Sequence, residues 1–358
     1  MSKLRGFIAW VLLLCLSVPA SAAILATVFY VSGNGLGTGA VALATVPVVL
    51  LLVPRVVAHP SWRVGMALVG LLLCDLAYAG WRVTRVDTGG SLAFCVDGAC
   101  DQPAPILSRL IREDETAYAG VALSHAMGLL TDDELAVIEP ATRSAYEALD
   151  RVRGGAPGPN GVLLASAATR TEELIWLPPG EGKVPALVFL HGFGGQITPC
   201  VAAFAESAVG RDYAIVAPAL DMSGYWWERP GREVLERALA TLPPRVDRSR
   251  LWLVGLSNGA IGATHFGFDP ELGARFRGMI LLVGGDAPSV GDVPHGPVLM
   301  VAGTGDPRFP IAGLRSVAEA FTAGGADVTL KEVPGDHFIL FTATSDVTGA
   351  VGEWLAAH

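Results

Sequence analysis

Charged residues are scarce in this chain, and basic ones scarcer. Asp, Glu, Lys and Arg make up 16% of the 358 residues, with a formal net charge of −9. The scarcity is local: residues 1–80 hold only Lys3, Arg5, Arg55, Arg63 and Asp75, a net of +3. Of 25 basic and 34 acidic residues in the whole chain, 21 and 33 therefore fall in 81–358, a net of −12. Such an acidic surface repels phosphate, which argues against nucleic acid as a partner. Cysteine is sparse as well, at five residues. Only Cys95 and Cys100 stand close together. They bracket Val96-Asp97-Gly98-Ala99, a turn-like loop that a disulfide would close in an oxidising compartment. The alternatives are two free thiols or half of a metal site. No second Cys or His pair lies nearby, and no His/Cys/Asp cluster has metal-ligand spacing, so neither a metal nor a cofactor is implied. No internal repeat is present.

Apolar residues, by contrast, are plentiful. They form 51% of the chain, and mean hydropathy is +0.47. The excess sits at the front. Phe7 to Val31 is 25 residues without a charge, enough to cross a hydrocarbon core of ~30 Å as a helix. Further apolar runs follow at 40–58 and 64–80, the last with Asp75 near its end. Residues 1–80 therefore read as a transmembrane region with spans at about 7–31, 40–58 and 64–80, and the bilayer as a partner; buried helices of a soluble core are the plainer alternative. Lys3 and Arg5, and then Arg55 and Arg63, should face the cytoplasm. Three spans then place residues 81–358 on the extracytoplasmic side of a multi-pass cell-membrane protein, with Arg82 and Arg85 weakly opposing. Met1 to Ala22 also has the look of a cleaved signal peptide, with Pro19-Ala20-Ser21-Ala22 as its small-residue site. The apolar run continues past that site to Val31, which favours an uncleaved span. Both readings put the rest of the chain on the same side.

Residues 81–160 read as a helical spacer or cap followed by a linker. Ile106, Leu107, Leu110 and Ile111 make one helical face, and Leu135, Ile138, Tyr146 and Leu149 another. Thr131-Asp132-Asp133-Glu134 has the form of a helix start with Thr131 as cap. The acidic run Glu113-Asp114-Glu115 reads as a solvated face. Gly154-Gly155-Ala156-Pro157-Gly158-Pro159-Asn160-Gly161 is a linker by composition. Residues 161–358 then form the third segment.

In that segment strand-like runs alternate with helical ones: 173–177, 186–190, 213–218, 251–254, 279–283, 298–302 and 328–333, with helices expected at 200–209 and 232–242. The alternation implies an α/β fold with a mostly parallel sheet covered on both faces, and a site at the C-terminal ends of its strands. Four motifs stand at those ends. His191-Gly192-Phe193-Gly194-Gly195 follows 186–190, Gly255-Leu256-Ser257-Asn258-Gly259 follows 251–254, Asp306 follows 298–302, and His337 follows 328–333. A G-x-S-x-G between a strand and a small-residue helix is the setting of a nucleophile elbow. Together, over about 165–358, the motifs resemble the α/β-hydrolase superfamily, and more weakly its dienelactone-hydrolase-like and peptidase-like esterases.

The resemblance implies the α/β-hydrolase fold and a serine hydrolase. Ser257 would be nucleophile, His337 base and Asp306 orienting acid, with the backbone N–H groups of Phe193 and Asn258 as oxyanion hole. Cleavage of a carboxylic ester through an acyl-enzyme is the leading expectation. Amide or peptide hydrolysis, acyl transfer, or a non-catalytic binding module of a membrane complex remain open. Asp286, at the end of another strand, competes with Asp306 for the acid's role. His191 is expected to bond locally, His265 to be structural, and Cys200 to be a small buried residue. Tyr225, Trp226 and Trp227 follow a strand end. They either line a substrate pocket, suited to a small-molecule or lipid acyl group, or pack beneath a loop. Three spans exceed what anchoring requires, which admits a membrane-protein partner.

Overall fold

The computed structural model describes Ala77 and residues 92–100, 113–153, 171–195, 197–221, 223–287 and 294–358. The expected signal peptide, the spans at 7–31, 40–58 and 64–80 (Ala77 apart), the 106–111 face and the 154–161 linker lie outside them. Among the described residues no helix is long and apolar enough to cross a membrane. The chain divides into two compact units, Met1–Arg85 with Asp114–Leu135, and Val86–Glu113 with Ala136–His358.

Two helices open the described chain after its first strand: β1 (Leu92–Val96), α1 (Glu113–Ala126) and α2 (Asp132–Arg153). Within the first unit, the start of α2 is closed by a reciprocal capping box. Thr131 Oγ1 accepts the Glu134 N–H at 3.2 Å, and the Glu134 carboxylate accepts the Thr131 N–H at 2.9 Å. Two donors that a helix start leaves orphaned are satisfied in this way, as the Thr-x-x-Glu spacing implied.

The second unit is built on one sheet. Its remaining elements are β2 (Glu172–Trp176), β3 (Val184–Leu190), α3 (Ile197–Ala205), α4 (Val209–Asp212), β4 (Ala214–Pro218), α5 (Arg229–Ala240), β5 (Val246–Leu256), α6 (Asn258–Phe268), β6 (Met279–Leu282), β7 (Val298–Gly303), α7 (Ile311–Ala323), β8 (Val328–Val333), α8 (Ile339–Thr342) and α9 (Thr344–Ala357). The eight strands order as β1-β2-β4-β3-β5-β6-β7-β8. Strand β2 pairs antiparallel with both neighbours, and every pairing from β4 across to β8 is parallel. Strands β4, β6 and β7 are buried along their whole length, as continuous apolar runs must be when helices cover both faces. Edge strand β8 alternates exposed and partly buried residues, and its Lys331 and Glu332 keep the open edge charged. Parallel strands, flanking helices and a G-x-S-x-G serine at the β5–α6 turn make this an α/β-hydrolase-like fold.

One boundary differs from expectation. The sheet begins at Leu92 rather than beyond 161, because Leu92–Val96 pairs antiparallel with β2 in register from Leu92↔Trp176 to Val96↔Glu172. The run is short and ends in a cysteine loop, so its strand character was masked in the sequence.

The loop after β1 is pinned. Cys95 and Cys100 form a disulfide, as the spacing allowed. The Asp97 N–H donates to Thr171 O, and Asp97 Oδ1 accepts the Thr171 N–H, both at 2.8 Å. Gly98 packs so closely on Thr241 that a Cβ there would stand 2.6 Å from it. Beneath this loop Glu173 is fully buried, with one bond from the Thr241 hydroxyl at 3.3 Å. Burial, reinforced by the charge of Asp97 and opposed by the Thr241 bond, pushes its carboxyl up to about 8. The folded state therefore holds this proton more tightly than the unfolded chain does. The stability it contributes is complete below the unfolded value, near 4.5, and is lost as pH rises towards 8. Glu173→Gln should remove that dependence. Urea unfolding should place the variant level with wild type near pH 4.5 and ahead of it at pH 9, by roughly 3–5 kcal/mol if the whole shift is expressed. A constant difference across pH would contradict this.

Candidate active site

The site is assembled by strand ends. Strand β5 runs into α6 through Ser257, held at φ 54°, ψ −117°, a conformation that a non-glycine residue rarely adopts. The flanking glycines explain how the turn closes. A Cβ on Gly255 would lie 2.2 Å from Gly259 O, and one on Gly259 would lie 2.0 Å from Leu190 O. The Ser257 N–H donates to Leu282 O at 2.9 Å, and Ser257 O accepts the N–H of Ala260 at 2.8 Å. Strand, serine turn and helix are thereby locked together.

Strands β7 and β8 bring the two partners to the serine. The Thr304 N–H donates to Val333 O at 2.9 Å, and the Gly305 N–H to Gly335 O at 2.8 Å, so the loops bearing Asp306 and His337 continue the pairing of their strands. His337 Nε2 lies 3.0 Å from Ser257 Oγ, and His337 Nδ1 lies 2.7 Å from Asp306 Oδ2. Facing a carboxylate, Nδ1 carries the proton, and Nε2 presents its lone pair to the serine hydroxyl. The Asp306 side chain is wholly buried and that of His337 only 9% exposed. Asp306 Oδ1 accepts the N–H groups of Arg308 and Phe309 at 2.8 and 3.0 Å. Burial works to raise the Asp306 carboxyl, but the His337 bond, the two backbone donors and the His337 charge outweigh it and hold it below the usual carboxylate value. Phe309 stacks on the His337 ring at 5.7 Å and 12°, and Phe338 meets it edge-on at 5.7 Å. These two rings, which sequence reasoning missed, restrict the imidazole from both directions.

The His191–Gly195 turn lies against the serine. A Cβ on Gly192 would stand 3.1 Å from Ser257 Cβ. Among the described residues, neither the Phe193 nor the Asn258 N–H donates to another backbone group. The Asn258 side chain is used elsewhere, its amide donating to Ser223 O at 2.8 Å. His191 does bond locally: its Nδ1 donates to Gly192 O at 2.7 Å, and Nε2 accepts the Leu220 N–H at 3.0 Å. Burial, opposed by the Gly192 carbonyl and the Asp221 charge, drives its imidazole down to about 4, so it is neutral at pH 7.

Other candidates separate from the Ser257–His337–Asp306 cluster. Asp286 faces His265 at 3.5 Å and is more than half exposed, so it takes no part in orienting His337. Cys200 is buried in α3, and burial together with the nearby Glu113 charge pushes its thiol up, away from nucleophilic use. Of the three aromatics, Tyr225 and Trp227 are 42% and 36% exposed. Trp226 corrects the pocket reading. It is fully buried, donates to His191 O at 2.9 Å, and stacks edge-on against that ring, so it supports the His191–Gly195 turn. Glu113 is a second correction. Read as part of a solvated acidic run, it is only 4% exposed. Surface grooves of about 490 and 360 Å³ occur elsewhere on this unit, and none of Ser257, Asp306 and His337 lines either.

No family model matches the chain, and no curated protein does. Among solved structures it is similar to a thermostable esterase at 21% identity and TM-score 0.39, over 47% of this chain and 52% of that one. It is also similar to Pyrococcus horikoshii acylaminoacyl peptidase at 15% and 0.39, over 49% and 36%. For Est1E from Butyrivibrio proteoclasticus the values are 16% and 0.41, over 52% and 95%. The match thus spans about half of the thermostable esterase and about a third of the peptidase. Likeness at this level carries nothing about chemistry.

The elbow geometry has a direct test. Gly259→Ala should cost at least ~3 kcal/mol or prevent folding, because backbone rather than a mobile side chain occupies the space. Gly313, inside α7 with nothing within 4 Å of an added Cβ, is the control. Gly313→Ala should raise stability by about 0.5–1 kcal/mol. Equal effects of the two substitutions in chemical denaturation would contradict the packing described.

Proposed function

We propose that the protein is a serine hydrolase that cleaves a carboxylic ester through an acyl-enzyme. The observation that carries this reading is the continuous hydrogen-bond chain from Ser257 through His337 to Asp306, at 3.0 and 2.7 Å, with its serine on a strained turn. A serine hydroxyl is a weak nucleophile until a base takes its proton. In the proposed reaction His337 Nε2 accepts the Ser257 proton as Oγ bonds to the ester carbonyl carbon. The carbonyl oxygen gains the charge and is held by the N–H groups of Phe193 and Asn258, each such donor being typically worth ~2.7–4 kcal/mol. His337 then returns the proton to the departing alkoxide as the ester C–O bond breaks. Water, deprotonated by the same imidazole, releases the acid. Asp306 keeps the Nδ1 tautomer and balances the transient imidazolium.

The same acyl-enzyme serves amide or peptide hydrolysis and acyl transfer. The exposed rings of Tyr225 and Trp227, 4.9 Å apart between centroids, suit an apolar acyl or lipid substrate. We further infer that residues 1–80 anchor the chain in the cell membrane with the catalytic unit on the extracytoplasmic side. The near-uncharged runs at 7–31, 40–58 and 64–80 and the placement of Lys and Arg support this, and the Cys95–Cys100 disulfide fits an oxidising compartment.

The kinetic test is a series of p-nitrophenyl esters and matched anilides with the full-length protein. Esters should turn over faster than anilides, and Ser257→Ala should abolish turnover. Asp306→Asn should lower kcat by about 10³–10⁴-fold through the wrong tautomer. Folded protein without turnover of any acyl substrate would favour a hydrolase-like binding module.

A further inference from the structure

Glu113 is a buried carboxylate that the proposed mechanism does not use. Its position is specific. Glu113 Oε1 accepts the backbone N–H of Thr198 at 2.8 Å and the Tyr146 hydroxyl at 3.1 Å. Its other oxygen accepts the Thr198 hydroxyl. Glu113 and Thr198 are 4% and 3% exposed. Thr198 is the second residue of α3, whose first N–H groups have no partner within the helix. A carboxylate from elsewhere in the chain therefore caps α3, where the helix dipole also favours negative charge. Helix α3 begins two residues after Gly195, at the end of the turn that carries Phe193. Eight of its nine residues are buried, so its axis is set by packing and its start by this cap.

We propose that Glu113 is a positioning residue for the oxyanion hole, fixing the start of α3 and through it the Phe193 N–H. The proposal rests on the hydrolase reading above. It also gives the helical segment between β1 and β2 a part in turnover. In the second unit, Glu113 and Tyr146 come from residues expected to be a spacer or cap; Glu113 binds the helix that follows the Phe193 turn, and Tyr146 binds Glu113. A hole donor acts on the charge that develops in the tetrahedral state and little on the bound ester. A displaced donor should therefore appear in kcat and in the affinity of tetrahedral analogues rather than in KM.

The test compares the full-length wild type with Glu113→Gln, which keeps the side-chain volume and removes the charge. Steady-state ester hydrolysis is measured beside inhibition by an alkyl trifluoromethyl ketone. Ser257 Oγ adds to the ketone's carbonyl carbon as His337 Nε2 takes the serine proton, and the carbonyl π pair moves to oxygen to leave an oxyanion in the hole. The expected result is a kcat about tenfold or more below wild type, KM within about twofold, and a trifluoromethyl ketone Ki raised in step with the fall in kcat. Wild-type kcat and Ki in folded Glu113→Gln would overturn the proposal. So would equal weakening of the ketone and of the carboxylic acid product, which marks a general structural effect. Should Glu113→Gln fail to fold, Thr198→Val decides. It removes one bond to Glu113 and should shift kcat and Ki the same way by about threefold, whereas no shift overturns the proposal. Failure of the wild type itself to bind the ketone would remove the hydrolase reading, a result distinct from any of these.

Discussion

Ser257 is held at φ 54°, ψ −117°, and the surrounding structure must over-determine that conformation for it to persist. Four glycines do this by closeness. Gly255 and Gly259 let β5, α6 and the end of β3 approach to distances that a single methyl group would forbid. Gly192 lies against the serine from the oxyanion side, and Gly284 lies against Ser257 O from the end of β6. Val283, beside Gly284, itself has a positive φ of 43°, so strain is shared between adjacent strand ends. The placement of the hydroxyl, the approach of the His191–Gly195 turn and the reach of His337 all depend on this one turn.

Around the turn, buried polar groups are satisfied in a consistent pattern. Asp306 accepts three donors, His191 bonds on both ring nitrogens, Trp226 reaches His191 O, and Glu113 binds the start of α3. Each would be costly to leave unpaired in a low-dielectric interior, and each therefore fixes a backbone segment as well as itself. Glu173 departs from this pattern. Its Oε2 has no hydrogen-bond partner among the described residues, and its burial is tolerated by keeping the proton. Asp306 and Glu173 thus show the two ways a carboxyl survives burial, one by collecting donors and the other by staying neutral.

Much of this was legible in the sequence because the motifs report backbone necessity. G-x-S-x-G marks a turn that only glycines permit, and Asp306 and His337 stand where apolar runs end. The Cys95–Cys100 disulfide was one of the readings that the spacing left open, and the structure selects it. What escaped depended on distance along the chain. Strand β1 pairs with β2 across some eighty residues. Glu113 lies 85 residues from Thr198, and a Glu opening an acidic run carries no sign of burial. Trp226 and its neighbours Tyr225 and Trp227 are indistinguishable by composition, yet one is core and two are surface. Phe309 and Phe338 acquire meaning only when β7 and β8 set their loops side by side.

The central claim is that His337 activates Ser257 and no other serine. The most direct measurement is mass-spectrometric mapping of the adduct formed when folded, full-length protein reacts with a fluorophosphonate. The account predicts one phosphonyl group, on the peptide containing Ser257, formed at a rate that falls sharply in His337→Ala. An adduct on another residue, or none on protein shown to be folded, would contradict it.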